Sequence, residues 1–157
     1  MTREEKFMAE AIALSQKGLQ ANQGGPFGCV IVKDDQIVGR GNNKVTSTND
    51  PTAHAEVVAI RDACKNLNTF QLEGCEIYTS CEPCPMCLGA IYWARPKVIY
   101  YANNREDAAM IGFDDSMIYE EMSKEYKDRK IPILSLSRDD AFRIFMEWQN
   151  KADKIAY

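Results

Sequence analysis

The 157-residue sequence lacks the features that mark several whole classes of protein. Its longest uncharged apolar stretches, such as Cys87 to Ala94, are far too short to cross a bilayer, so no membrane partner is expected. The first residues, Met1-Thr2-Arg3-Glu4-Glu5-Lys6, include acids and lead into no apolar segment, unlike a secretory signal. A cytoplasmic location is the expectation, where cysteines stay reduced. Basic charge is short as well: 19 Lys and Arg stand against 23 Asp and Glu, for a net charge of −4. Nucleic acids are gripped largely through clustered Lys and Arg, so no nucleic-acid partner is expected. Repeats, low-complexity tracts and linkers are missing, and nothing in the composition suggests disorder. Histidine occurs once, at His54.

What is present suits a globular chain. At this length roughly 70% of the unfolded surface can be buried, which fits one domain over residues 1–157. Six cysteines occur, and in a reducing compartment close spacing reads as metal or redox chemistry rather than disulfides. Cys81, Cys84 and Cys87 recur at intervals of three. Cys29, Cys64 and Cys75 stand alone in apolar surroundings and read as small core residues.

Hydrophobic spacing predicts an amphipathic helix from about Arg3 to Ala21, ended by Gly24-Gly25-Pro26. Phe27 to Lys33 and Gln36 to Gly41 read as strands joined at Asp34-Asp35. A second helix is predicted to start at Pro51, with Asn49 and Asp50 as caps, and to run through His54 and Cys64. Glu76 to Ser80 reads as a third strand, Met86 to Ala94 as a helix and Val98 to Tyr101 as a fourth strand. Asn103 to Lys130 reads as a long polar stretch with short helices. Ile131 to Leu136 reads as a fifth strand, and Arg138 to Lys151 as a final helix. That order predicts a three-layer α/β/α domain around a five-stranded mixed sheet.

The chemistry concentrates in His54-Ala55-Glu56 and Pro83-Cys84-Pro85-Met86-Cys87. Zinc takes four ligands from imidazole and thiolate groups, and a catalytic site leaves one of the four positions to water. His54, Cys84 and Cys87 supply three. Two thiolates and a neutral imidazole balance the charge of one Zn²⁺, which lowers the pKa of its water toward roughly 7. Cys84 and Cys87 share one helical face, and residues in the first turn of a helix can converge beyond its end. Glu56 then serves as general base and acid rather than as a ligand. Cys81 has the spacing to add a fourth sulfur, which would seal the site as a structural one; a helix start at Pro83 leaves Cys81 on the preceding strand instead. Taken alone, C-x-x-C could also be a redox pair.

Together these residues reproduce the H-x-E and P-C-x-x-C pattern of zinc-dependent nucleobase deaminases. The chain resembles the cytidine-deaminase-fold superfamily over nearly its whole length. More narrowly it is similar to the small bacterial guanine deaminases, through Gly24 to Gly28, Asn49 to Glu56, Thr79 to Pro96, Gly112 to Ser116 and the terminal Tyr157. The resemblance implies hydrolysis of guanine to xanthine and ammonia in a homodimer, on a small purine base. It also implies that Phe27 stacks on the purine and that Asn43 and the Ala55 backbone bond to it. Asp115, or neighbouring Asp114, would recognise the ring. Tyr157 would close the pocket of a second subunit, on a segment 138–157 exchanged between subunits. Trp93 either lines the pocket or packs in the core. Other readings stay open at this point: a tRNA-editing adenosine deaminase, a deaminase of cytosine or ammeline, or a zinc-stabilised binding module without catalysis.

Overall fold

In the computed structural model, which describes residues 1–157, helix α1 (Arg3–Gln20) begins with a reciprocal cap. The Thr2 hydroxyl accepts from the Glu5 N–H at 3.1 Å, and the Glu5 carboxylate accepts from the Thr2 N–H at 2.7 Å. Strands β1 (Gly28–Lys33) and β2 (Gln36–Asn42) follow. Asp34 and Asp35 link them with φ of 49° and 61°, the left-handed pair that a tight two-residue hairpin requires. Next come α2 (Val45–Thr48), α3 (Ala55–Leu67), β3 (Glu76–Cys81), α4 (Pro85–Ala94), β4 (Val98–Asn103) and α5 (Arg105–Met110). The chain divides into two compact units, Met1–Asp115 and Ser116–Tyr157. The second holds α6 (Ser116–Met122), a 3-10 turn at Tyr126–Asp128 and α7 (Arg138–Asn150). No helix is long and apolar enough to cross a membrane.

The sheet is mixed and four-stranded, in the order β2-β1-β3-β4. Strand β1 runs antiparallel to both β2 and β3, while β3 and β4 are parallel. This corrects the expected five-stranded sheet. Ile131 to Leu136 forms no strand, and Ile131, Leu134 and Leu136 are exposed. An apolar, β-branched composition favours a strand only where a neighbouring edge takes up its backbone hydrogen bonds, and no strand of the sheet pairs with this segment.

A second correction concerns the helix expected from Pro51. It begins four residues later, with His54 as the cap residue of α3. Asp50 does not cap a helix: its Oδ1 accepts from the N–H and hydroxyl of Thr52, at 2.8 and 2.6 Å, closing a local turn. The short helix α2 lies in a stretch expected to be loop.

Alternation along β1 builds the layers. Cys29 and Ile31 join Ile77, Ala55, Ala59, Ala63 and Ile91 in one core. Val30 and Val32 join Tyr78 and Ala11 in the other, with Phe7, Met8 and Leu14 of α1 packed against it. Cys75 is buried in the first core and Cys64 packs on it. Helix α3 lies very close to β2, and two glycines explain how. A Cβ on Gly41 would stand 2.2 Å from the Ala55 carbonyl, and one on Gly39 would stand 2.6 Å from that of Ala59. Backbone therefore meets backbone along a glycine–alanine seam, which fixes how deep the start of α3 sits. In the second unit, α7 buries no residue, and Phe142, Ile144, Phe145 and Trp148 are exposed.

At the N-terminal end of β3, the nearly buried Glu76 carboxylate accepts from Arg3 at 2.8 Å, Tyr78 at 2.6 Å and Lys97 at 2.9 Å. Burial pushes this carboxyl up, but the three hydrogen bonds outweigh it and hold the pKa down to about 2, from 4.5. Because the folded value is the lower one, the ionised group contributes its full stability above about pH 4.5 and loses it as the pH falls toward about 2. Urea midpoints measured from about pH 6 to about pH 3 should therefore fall more steeply for the native chain than for Glu76→Gln. Parallel profiles would show that Glu76 is not a linked group.

Candidate metal centre

Two helices begin at the same place with unusual cap residues. Helix caps are usually Ser, Thr, Asp or Asn, whose side chains bond the first free N–H groups. Here His54 caps α3 and Cys84 caps α4, both in extended backbone and neither making a side-chain cap bond. Pro85 occupies the first turn of α4, where its missing N–H is no loss. With Cys84 at the cap and Cys87 three residues on, both sulfurs lie on one side of the helix start. The His54 Nδ1 stands 3.6 Å from the Cys84 sulfur and 3.5 Å from that of Cys87. The three donor atoms all lie within 4.8 Å of one another, close enough to converge on one ion.

The donor chemistry fits zinc. Two sulfurs and an imidazole nitrogen are the ligand types it prefers, and three protein ligands leave a position open. A hydrogen bond from Cys87, assisted by His54, lowers the Cys84 thiol well below its usual value. Cys84 in turn raises His54 above its usual value. The positive ends of two helix dipoles favour the same negative charge. His54, Cys84 and Cys87 thus form a cluster capable of holding one Zn²⁺ in each subunit.

Cys81 stands apart from that cluster. Its thiol points to the Asn104 carbonyl at 3.8 Å, and burial with nearby carboxylates pushes it up to about 11. The convergent donor cluster does not include Cys81, so the four-residue structural site is not built here.

Glu56, two residues into α3, is 6% exposed. Burial pushes its carboxyl up, partly offset by hydrogen bonds from its own backbone N–H and from the Thr79 hydroxyl, which donates to Oε1 at 3.0 Å. Asn43 is also buried, and its Oδ1 accepts from the N–H groups of Gly25 at 3.2 Å and Val45 at 3.1 Å. Those bonds decide which way the carboxamide faces, leaving Nδ2 as its donor. A Cβ on Gly24 would lie 2.2 Å from that Oδ1, so only glycine fits beside it. Phe27 packs on the core and meets Phe113 edge-on, with ring centroids 5.0 Å apart. Ala55 is fully buried at the first position of α3.

Asp115 is partly buried. Burial and the charge of Cys84 push its carboxyl up, whereas the neighbouring Asp114 is exposed. Trp93 is 64% exposed and is not a core residue of its unit. Tyr157 is exposed in the second unit. Sequence reasoning missed Thr79 and Phe113. Strand alternation gives the face of Thr79 but not its partner, and Phe113 has no motif of its own beyond the segment that contains it.

Comparison with known proteins agrees with this geometry. Residues 1–103 match the family described as the cytidine and deoxycytidylate deaminase zinc-binding region. The chain is 54% identical over 153 residues to a guanine deaminase of Bacillus subtilis (strain 168), covering 98% of each chain. The X-ray structure of guanine deaminase from Bacillus subtilis superposes with a TM-score of 0.95 over 98% of both chains. A tRNA-specific adenosine deaminase of Aquifex aeolicus (strain VF5) is 39% identical over 108 residues, 68% of this chain and 71% of that one. A protein crystallised in complex with 2,6-diaminopurine is 29% identical, with a TM-score of 0.68 over 98% of this chain and 85% of its own.

Metal analysis of purified variants tests the ligand set. Cys84→Ser and Cys87→Ser should each lose most of the bound zinc, while Cys81→Ser should keep about one ion per chain. Loss of zinc on changing Cys81 would restore the sealed, four-ligand site.

Proposed function

The chain belongs to the cytidine and deoxycytidylate deaminase zinc-binding family, and on that premise we propose that it hydrolyses guanine to xanthine and ammonia. The observation that carries this reading is the three-ligand cluster with the buried carboxylate of Glu56 close behind His54. Its likeness along almost the full chain to a guanine deaminase names the base. Zinc held by His54, Cys84 and Cys87 supplies Lewis acidity and brings the ionisation of water near neutral pH.

The chain's own residues do the rest. Glu56 takes a proton from water as the water oxygen adds to C2 and delivers it to purine N3; it then carries the second proton from the added hydroxyl to the 2-amino group, which leaves as ammonia as the C2 carbonyl forms. A carboxyl raised by burial takes up a proton from water more readily than a solvated one. Phe27 stacks on the purine and the Asn43 Nδ2 donates to an acceptor of the ring. The Ala55 backbone contributes beside the metal, and the Asp115 carboxylate accepts from a ring N–H. Enclosure strengthens each of these bonds by excluding water. The net charge of −4 favours a free base over a polyanion as substrate. Six free cysteines suit a reducing, cytoplasmic setting.

The same reading makes the protein a homodimer that exchanges residues 138–157, so that the partner subunit's Tyr157 closes the purine pocket. Support comes from α7, whose apolar side chains are exposed along its length. Such a face gains stability only when another surface covers it.

Ammonia release from guanine, adenine, cytosine, ammeline and a tRNA anticodon stem-loop tests the activity. Guanine should be turned over fastest, and preference for any other member of the panel would overturn the assignment. Glu56→Gln should keep its zinc and lose at least about 10²–10⁴-fold in kcat. Light scattering should give a dimer for the full chain, with dimerisation and turnover both lost on truncation before Arg138. A monomeric, fully active chain would exclude the exchange.

A further inference from the structure

Strand β3 is buried at every position, and Thr79 sits near its middle with 1% exposure. Backbone pairing holds it from both sides, opposite Cys29 of β1 and Tyr101 of β4. Its hydroxyl donates to Glu56 Oε1 at 3.0 Å, across the boundary between sheet and helix. Glu56 itself lies in the first turn of α3, where its carboxylate also meets its own backbone N–H and the Cys87 thiol, both on elements of the site itself. Its carboxylate needs an anchor that does not move, and the central strand provides one.

We propose that Thr79 is a positioning residue: its hydroxyl pins Oε1 of Glu56 and so holds the carboxylate in the orientation in which it exchanges protons with water and substrate. The inference rests on the deaminase reading above. Rotation of the carboxylate would spread the shuttle over several orientations. The Thr79 bond restricts that rotation while the second lone pair of Oε1 and both lone pairs of Oε2 stay available. The bond also survives the reaction. When Oε2 carries the proton, Oε1 remains an acceptor, so the Thr79 bond need not break at either stage of transfer. Threonine suits the task better than serine because its β-branched side chain is stiff at χ1 in a strand. Water cannot replace the hydroxyl at a position so fully enclosed.

Thr79→Val, Thr79→Ser and Thr79→Ala, assayed on guanine in the zinc-loaded enzyme, separate positioning from packing. Thr79→Val keeps the shape without the donor; it should bind zinc and keep KM within about threefold, while kcat falls about 10- to 100-fold. Thr79→Ser should recover most of that kcat. Unchanged kcat in Thr79→Val, an effect on KM alone, or a Ser variant no better than Val would each overturn the proposal. If Thr79→Val fails to fold, Ser against Ala decides, since both lack the methyl group and only Ser keeps the hydroxyl. Equal kcat in that pair overturns the proposal, and a deficit of about tenfold or more in Ala supports it. A wild-type enzyme that releases no ammonia from guanine would instead defeat the deaminase reading itself, which sets that failure apart from the loss of Thr79 alone.

Discussion

The site depends on two helices that start without ordinary caps. Ser, Thr, Asp or Asn at those positions contributes about 0.5–2 kcal/mol to a helix; α3 and α4 carry His54 and Cys84 there instead. The backbone N–H of Cys87 in the first turn of α4 bonds to the Cys84 sulfur, and the positive ends of both helices favour negative charge there. Nothing within either helix keeps these ends together. Helix α3 is set by its backbone contact with Gly39 and Gly41, and α4 by its departure from the end of β3. The metal ligands are thus located by a sheet that none of them belongs to.

That division of labour explains what could be read from the sequence. His54, Cys84 and Cys87 are legible because helix-start geometry is local: a proline beside a cysteine pair announces the turn on which both sulfurs converge. Most element boundaries follow from periodicity for the same reason. The exceptions are places where a local signal has two outlets. Asp50 and Pro51 announce a helix start, but Thr52 takes up the Asp50 carboxylate first. Val45 to Thr48 forms one helical turn from residues of poor helix propensity, held in part by the Thr48 hydroxyl on the Lys44 carbonyl. Ile131 to Leu136 has the composition of a strand, and composition carries no information about whether an edge is available. Thr79 is invisible for a related reason, since its meaning lies in a residue 23 positions away.

Around the ligands, polarity is set by the loops rather than by the strands. Asn43 follows β2, and the two backbone N–H groups that fix its carboxamide come from Gly25, before β1, and Val45, at the start of α2. Its role as a donor is decided before any ligand arrives. Phe27 is braced in a similar way by Phe113. These side chains are held by neighbours whose only signal in the sequence is proximity to a motif, so the metal centre is easier to read than the base-binding groups.

The solitary imidazole of the chain, turned toward two sulfurs, has an electrical consequence. Histidine is the side chain whose ordinary charge change falls within the neutral range, while carboxylates and lysines of ordinary pKa do not titrate there. Because that one imidazole is turned into the cluster, no second histidine stands elsewhere on the protein to change charge near neutrality.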